Sequence, residues 1–233
     1  MQPGFHVNQR GSGPSGQRAT GRATLVDRLT TVTLTVGFDL DMTLIDSRPG
    51  VTLAIDALAR EFDLPIDGSH FAEQLGPPLA TLLGDAGAPD DLIPHLVTRY
   101  RELYPDVIGH IGALPGADDA LAAVRSGGGR TLVVTGKFEP HARLHLDHLG
   151  WRVDRLAGDL WATGKADVLR EESARVFVGD HAGDMRGAKA AGVVAVGVTT
   201  GPYDADGLRT AGADVVLADL TLFADWLADH ALG

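Results

Sequence analysis

The sequence predicts an α/β protein, a doubly wound, Rossmann-like parallel sheet that carries an inserted all-helical cap. Three observations predict it. Short Val-rich runs recur through the second half of the chain, at residues 131–134, 176–178, 193–198 and 215–217, each followed by a helical stretch. Near-continuous apolar strands alternating with helices belong to a parallel sheet covered on both faces. A strand of the same kind opens the ordered part, and a long stretch of purely helical pattern separates it from the others.

Order begins near Thr31, where Val32, Leu34, Val36 and Phe38 alternate with threonines and Gly37 and run straight into Asp39. The residues before this strand are of another kind. Residues 1–26 hold no acid, three arginines (Arg10, Arg18, Arg22), five glycines and no apolar periodicity. They lack the apolar core of a secretory signal and the amphipathic face of a transit peptide, so residues 1–30 are expected to be a disordered leader. From Ser47 the rhythm is helical: Ser47 can cap a helix with Pro49 in its first turn, and Leu53, Leu58 and Phe62 form a stripe. Helical pattern continues to about residue 107, broken at Leu64-Pro65, Gly76-Pro77-Pro78 and Ala88-Pro89. Residues 47–112 are therefore expected to form the cap domain, and residues 31–46 and 113–233 the α/β core domain. After Pro115-Gly116 come a helix over 117–125, a glycine break, the strand at 131–134 and a helix ending at Gly150. The alternation then repeats to a closing helix that contains Trp226.

Composition narrows the function. With 20 basic and 31 acidic residues the net charge is -11, which repels nucleic acid and anionic membranes, and the folded part shows no basic patch to override it. The longest small-and-apolar run, residues 190–198, is far shorter than the roughly 18 to 20 residues that span a bilayer. No nucleic-acid or membrane partner is expected. The absence of cysteine removes disulfides, thiolate metal ligands and cysteine nucleophiles, and it fits a cytoplasmic chain.

In an open parallel sheet, ligands bind beyond the carboxyl ends of the strands. Four strand or loop ends carry polar residues that can converge there: Asp39, Asp41 and Thr43; Thr135 and Gly136; Gly164 and Lys165; and Gly179, Asp180, His181 and Asp184. Clustered carboxylates repel one another unless a cation joins them, and an all-oxygen set favours Mg²⁺.

These residues, in this order, resemble the motifs of the haloacid dehalogenase superfamily, in its phosphatase branch with a helical cap after the first motif. Asp39 to Thr43 matches D-x-D-x-T, Thr135 the strand-end threonine, Lys165 the lysine, and Gly179 to Asp184 the acidic G-D-x-x-x-D. The stretches Thr43-Leu-Ile-Asp-Ser47, Gly76-Pro-Pro-Leu79 and 191–198 are most similar to phosphoglycolate-phosphatase-like members. Met42 departs from the pattern, since the family usually has glycine there. The resemblance implies a Mg²⁺-dependent phosphomonoesterase acting on a small soluble metabolite, with phosphoglycolate as first substrate. It assigns Asp39 as the nucleophile that forms an aspartyl-phosphate. It assigns Asp41 as the acid and base, its proton affinity split from that of Asp39 by the closeness of the two carboxylates. Asp39, the backbone carbonyl of Asp41 and Asp180 are expected to hold Mg²⁺; Thr135, Gly136 and Lys165 to bind phosphate; and Asp184 to steer a bound water or Lys165 from behind.

Lysine is scarce, with Lys137, Lys165 and Lys189 the only three. Lys165 is preferred for the phosphate because the residue directly after a Thr-Gly strand end, Lys137, more often points to solvent. His181 is expected to face solvent or make a loop hydrogen bond, and His70, His95 and His110, without metal-ligand spacing, to lie on the surface. Arg48, the loop 76–79, Arg60, Arg99 and Arg101 are candidates for selecting the leaving group. Closure of the cap would hinge near 45–47 and 112–116. Asp41 argues against a dehalogenase, and the lack of lysine between Thr43 and Arg130 excludes Schiff-base phosphonate chemistry in the cap. A receiver domain has its acids before its Thr and Lys, whereas here Asp180 and Asp184 come last. The alternative kept open is a catalytically silent, phosphate-binding relative.

Overall fold

The computed structural model describes residues 33–230 together with Met1 and Gly4. Apart from those two residues, the leader expected over 1–30 lies outside the described residues, as do Thr31 and Val32 of the first strand. The chain runs β1 (Thr35–Phe38), β2 (Ile45–Asp46), then α1 (Arg48–Phe62), α2 (Gly68–Ala72), α3 (Leu79–Asp85) and α4 (Ile93–Leu103). A 3-10 stretch, Tyr104–His110, leads to β3 (Gly112–Ala113), α5 (Ala117–Ser126), β4 (Arg130–Val134), α6 (Glu139–His148) and β5 (Arg155–Ala157). A 3-10 turn, Ala162–Lys165, precedes α7 (Ala166–Glu171), β6 (Val176–Gly179), α8 (Ala182–Ala191), β7 (Val194–Val198), α9 (Ala205–Ala211), β8 (Val215–Leu217) and α10 (Phe223–His230).

Six strands form one parallel sheet in the order β5-β4-β1-β6-β7-β8. The chain leaves β1 for β4 on one side and later returns to β6 on the other, so the sheet is doubly wound about its first strand. Alternate residues serve opposite faces, as the two-residue strand period requires. Val36, Phe38, Val133, Val178 and Val196 pack with α5, α6 and α10 through Leu121, Leu146 and Phe223. Leu132, Val134, Phe177 and Ala195 face the other way, onto Leu169, Met185 and Leu208 of α7, α8 and α9.

Between β2 and β3 the described chain is helical, as expected. The apolar cluster of the first sheet face continues into this insertion through Leu40, Leu44, Ile45 and Val51. Ser47 stands at the start of α1 with Pro49 in the first turn, but its hydroxyl makes no cap hydrogen bond, because Ser47 already has helical dihedrals. At the far end of α1, Asp63 takes a left-handed conformation and the amide of Leu64 returns to the Ala59 carbonyl, stopping the helix before Pro65. Asp67 caps α2 by accepting from the His70 amide at 2.8 Å.

Two features escape the sequence pattern. β5 is a three-residue edge strand, too short for its alternation to stand out. β2 and β3 have two residues each and pair antiparallel, Ile45 with Ala113 and Asp46 with Gly112. The two segments expected to act as hinges therefore lie side by side as one ribbon at the root of the insertion.

Candidate active site

The winding places three strand ends next to one another. β1 runs out into Asp39, β4 into Thr135 and β6 into Asp180, with β1 between the other two. The Asp39 amide donates to the Val178 carbonyl at 2.8 Å, which holds the first loop against β6. Thr43, on that loop, donates its hydroxyl to Asp180 Oδ1 at 2.8 Å. Residues far apart in the chain meet here because a crossover strand ends beside β1 on each side.

Lys165 reaches this centre from the 3-10 turn before α7. Its ammonium donates to Asp39 Oδ1 at 2.9 Å and to Asp184 Oδ1 at 2.6 Å, and the side chain is only 1% exposed. Asp184 is completed on its other oxygen by the His181 amide at 3.1 Å, so both of its oxygens are used. Carboxylate oxygens of Asp39, Asp180 and Asp184 lie within 4.8 Å of one another, all three residues buried. That set of hard oxygen donors can hold a metal ion. The Asp41 side chain stands apart from it, 2.8 Å from Lys137. On the far side the backbone of Gly201 closes over Asp180, where a Cβ would come within 1.8 Å of Oδ2.

Charge and burial set the proton affinities. Burial pushes Asp39 up to about 6, with the Lys165 ammonium opposing and Asp184 adding to the rise. Asp180 is pushed well above the ordinary carboxylate value by burial, then by Asp184 and Asp39. Burial works against the charge of Lys165 too, but Asp184 and Asp39 outweigh it and raise its pKa. For Asp41 burial is again the largest influence, yet the Lys137 ammonium overcomes it and holds the carboxyl below its usual range. Asp39 is therefore the higher of the two, through burial on its side and Lys137 on that of Asp41, rather than through the closeness of the two carboxylates that the sequence suggested.

A cleft of about 230 Å³ opens onto Asp39, Asp41, Thr135 and Gly136. Lys137 corrects the expectation that it points to solvent. Its side chain is 8% exposed and lines this cleft, because Asp41 and the ring of Tyr104, 4.5 Å from its ammonium, draw it inward. Lys165 is not on the cleft wall but behind Asp39. His181 corrects the expectation of solvent exposure while keeping that of a loop hydrogen bond. Its ring is buried between Trp161 and Tyr203, at centroid distances of 5.0 and 4.6 Å, and its Nδ1 accepts from the Gly183 amide as the cap of α8. His70, His95 and His110 are exposed, as expected.

Of the candidates for the leaving group, Arg101 and the loop 76–79 line the cleft. Arg101 rests on the Phe138 ring at 3.8 Å and donates to Asp159 at 3.3 Å. Arg48 is tied to Asp46 by two 2.8 Å contacts, Arg99 to Glu61 and Glu102, and Arg60 is exposed. Gly76, at φ +139, packs so closely on His181 that a Cβ would stand 2.5 Å from the ring. Three further residues stand at the site without a motif to mark them: Trp161 lines the cleft, Gly201 closes over Asp180, and Thr200 donates its hydroxyl to the Met42 carbonyl. Thr200 and Gly201 follow the end of β7 and were open to the same strand-end argument that found the others.

A family model described as haloacid dehalogenase-like hydrolase matches residues 33–192, the stretch that carries all these motifs. The chain belongs to the haloacid dehalogenase-like hydrolases. It is similar to the phosphoglycolate phosphatase of Rhodospirillum rubrum, 34% identical over 215 residues that cover 82% of this chain and 89% of that protein. The phosphoglycolate phosphatase of Caulobacter vibrioides is 30% identical, with 78% of this chain and 86% of that one covered. The fold is shared with a haloacid dehalogenase-like family protein from Streptococcus pneumoniae, at TM-score 0.75 and 22% identity, covering 84% and 98% of the two chains. This hydrolase is a phosphatase.

Proposed function

We propose that this phosphatase hydrolyses a small phosphomonoester through a covalent aspartyl-phosphate on Asp39, with Mg²⁺ as cofactor. The observation that carries the reading is the meeting of Asp39, Asp180 and Asp184 at two adjacent strand ends, with Lys165 bridging Asp39 to Asp184.

The donor set fits the metal. Three buried carboxylates with one bridging ammonium leave negative charge uncompensated, and Asp39 and Asp180 are raised by burial first and by their neighbouring carboxylates in addition. Asp39, Asp180 and the backbone carbonyl of Asp41 are the ligands we assign, since Asp184 already spends both oxygens on Lys165 and the His181 amide. The chemistry Mg²⁺ supplies when bound is neutralisation of the attacking carboxylate and of the phosphate oxygens.

An Asp39 oxygen attacks phosphorus, the bond from phosphorus to the leaving oxygen breaks, and Asp41, which Lys137 holds ionised between turnovers and which takes up a proton from solvent for this step, passes that proton to the leaving oxygen. Asp41 then takes a proton from the water that attacks the aspartyl-phosphate, releasing inorganic phosphate and restoring Asp39. The Thr135 hydroxyl, the Gly136 backbone and the Lys165 ammonium bind phosphate oxygens, with Lys165 also holding Asp39 in line. The helices between β2 and β3 act as a cap that excludes water over the cleft.

The cleft over Asp39 and Asp41 is walled on one side by the insertion, which supports a small metabolite over a polymer. Val51, Leu75, Pro78, Leu79, Leu82 and Val97 make its insertion side apolar. The R. rubrum and C. vibrioides relatives make phosphoglycolate the first substrate to test. Among the described residues no helix is long and apolar enough to cross a membrane, and we assign this cysteine-free chain to the cytoplasm.

The test is steady-state phosphate release from p-nitrophenyl phosphate and a panel of small phosphomonoesters, with Mg²⁺ or with EDTA, for wild type and Asp39→Asn. Metal-dependent multiple turnover that vanishes in the variant supports the reading. Phosphate binding without turnover on any ester would overturn it in favour of a silent, phosphate-binding relative.

A further inference from the structure

The chain after β7 has no part in the mechanism above, yet it crosses the site. β7 pairs with β6 as far as Gly197 opposite Gly179, so it ends level with Asp180. Thr199 ties the next step to the β8 side, its amide donating to the Leu217 carbonyl at 3.2 Å and its hydroxyl to the Ala218 carbonyl at 3.1 Å. The sheet order places β6 between β7 and β1. A residue after β7 therefore reaches the loop after β1 only by passing over the end of β6, where Asp180 stands. Thr200 makes that reach and donates its hydroxyl to the Met42 carbonyl. Gly201 leaves room for it: its backbone lies so close on Asp180 that a Cβ would fall 1.8 Å from Oδ2 and 2.6 Å from the carboxyl carbon. Only a residue without a side chain allows that approach.

Thr200 holds a strained point of the nucleophile loop. Met42 is buried at φ 58, a left-handed conformation that a residue with a Cβ adopts at a cost. Its two peptide groups are pinned from different sides. The Met42 amide donates to the Ile45 carbonyl at 2.8 Å, and because that peptide is planar, the same bond sets where the Asp41 carbonyl points. The Met42 carbonyl is pinned by Thr200, and the next residue, Thr43, donates its hydroxyl to Asp180 Oδ1 at 2.8 Å. Three loops thus close a circuit. Thr200 joins the β7 loop to Met42, Thr43 joins the β1 loop to Asp180, and Gly201 packs the β7 loop back onto Asp180.

We propose that Thr200, carried past Asp180 by Gly201, is a positioning residue that presets the Asp41 carbonyl and the Asp180 carboxylate for Mg²⁺. The inference rests on the metal ligands assigned above, two of which lie on this circuit. Thr200 makes and breaks no covalent bond. It removes the freedom of the Met42 peptide to turn, so the oxygens on either side of it are already ordered when the ion arrives.

The test reads the metal itself. Mn²⁺, which takes the same oxygen donors as Mg²⁺, is titrated into metal-stripped protein at neutral pH, free Mn²⁺ is followed by electron paramagnetic resonance, and Mg²⁺ is added to displace it. Thr200→Val keeps the shape and loses the donor, and it is expected to weaken Mn²⁺ binding about 10-fold, the lower end of what loss of a group supporting metal ligands does. Thr200→Ser should return to within about 3-fold of wild type, and Gly201→Ala should lose about 10-fold or more. Urea unfolding without metal separates this role from a structural one, since a bond that only stabilised the fold would lower the midpoint and leave Mn²⁺ affinity at the wild-type value. Thr200→Ala replaces Thr200→Val if that variant does not fold. Wild-type affinity in the folded Thr200 variant or in Gly201→Ala, or no rescue by serine, would overturn the proposal. Asp180→Asn run alongside separates the failures. Undiminished binding there, or none by wild type, sinks the Mg²⁺ reading and this inference with it, whereas weakened binding in Asp180→Asn beside an unaffected Thr200→Val sinks this inference alone.

Discussion

The Thr43 hydroxyl donates to Asp180 at 2.8 Å, a buried hydrogen bond between residues 137 positions apart that ties the loop after β1 to the loop after β6. Thr43→Val keeps the shape of the side chain and removes the donor, leaving a buried carboxylate oxygen unsatisfied. A loss of about 1 to 3 kcal/mol is expected, read as a lower urea midpoint with an unchanged slope. Thr43→Ser should recover most of it. An unchanged midpoint in Thr43→Val would show that the bond contributes nothing.

Mg²⁺ should stabilise the folded protein, and more at neutral than at acid pH. Burial chiefly, with Asp184 adding, raises Asp39 to about 6. A carboxylate with a folded pKa above its unfolded value contributes stability below about 3.8, and that contribution is lost as pH rises through about 6. The metal-free protein is therefore weakened above that range by the ionised carboxylate it buries beside Asp184, which a cation relieves. Melting curves with and without Mg²⁺ should show a rise of several degrees at pH 7.5 and little at pH 5. Asp180→Asn should shrink the rise, and an equal rise at both pH values would contradict the argument.

With Mg²⁺ saturating, acid should still destabilise the fold through α6. Burial lowers His145 to about 3 and His141 to about 4, both beneath Tyr104. These groups are depressed, so their contribution is complete above the unfolded value near 6.5 and is lost as pH falls toward the folded values. Each histidine costs about 1.4 kcal/mol per pH unit in that window. Urea unfolding at pH 7 and pH 5 measures it, and His145→Gln should flatten the dependence.

Backbone conformation makes a further pair of tests. Met42 is buried at φ 58, a left-handed conformation that glycine adopts freely. Met42→Gly should keep kcat within a few-fold, with the relief of roughly 1 kcal/mol of backbone strain outweighed by about 2 kcal/mol of lost burial. Gly76→Ala should be far more damaging, since the added methyl would meet the His181 ring at 2.5 Å with φ at +139. A rise in KM for every substrate is the expected reading, because the same loop lines the cleft. Wild-type KM and stability in Gly76→Ala would show that the loop moves aside at no cost.

Most of the fold was legible because its signals are local. The strand runs and helix breaks fall within one to three residues of where pattern puts them, and β5 escaped because three residues at a sheet edge carry almost no period. The catalytic candidates were legible for the same reason, each standing directly after a Val-rich strand or at a helix start. Lys137 was misread, and the burial of His181 beside its expected loop hydrogen bond went unseen, because their surroundings are assembled from elsewhere. The partners that bury Lys137 come from the loop after β1 and from the end of the insertion, and those that bury His181 from Trp161 and Tyr203.

The sequence by itself determined which chain segments become strands and which acids, hydroxyls and lysines stand at their ends, since dihedral preference and apolar period act over a few residues. Only the tertiary structure decided how those groups pair. Lys165 went behind Asp39 and Lys137 onto Asp41 because β4 and β6 flank β1 on opposite sides and the insertion returns Tyr104 to α6. Pairing of charges depends on distances of a few ångströms across the sheet, and no run of neighbouring residues encodes those.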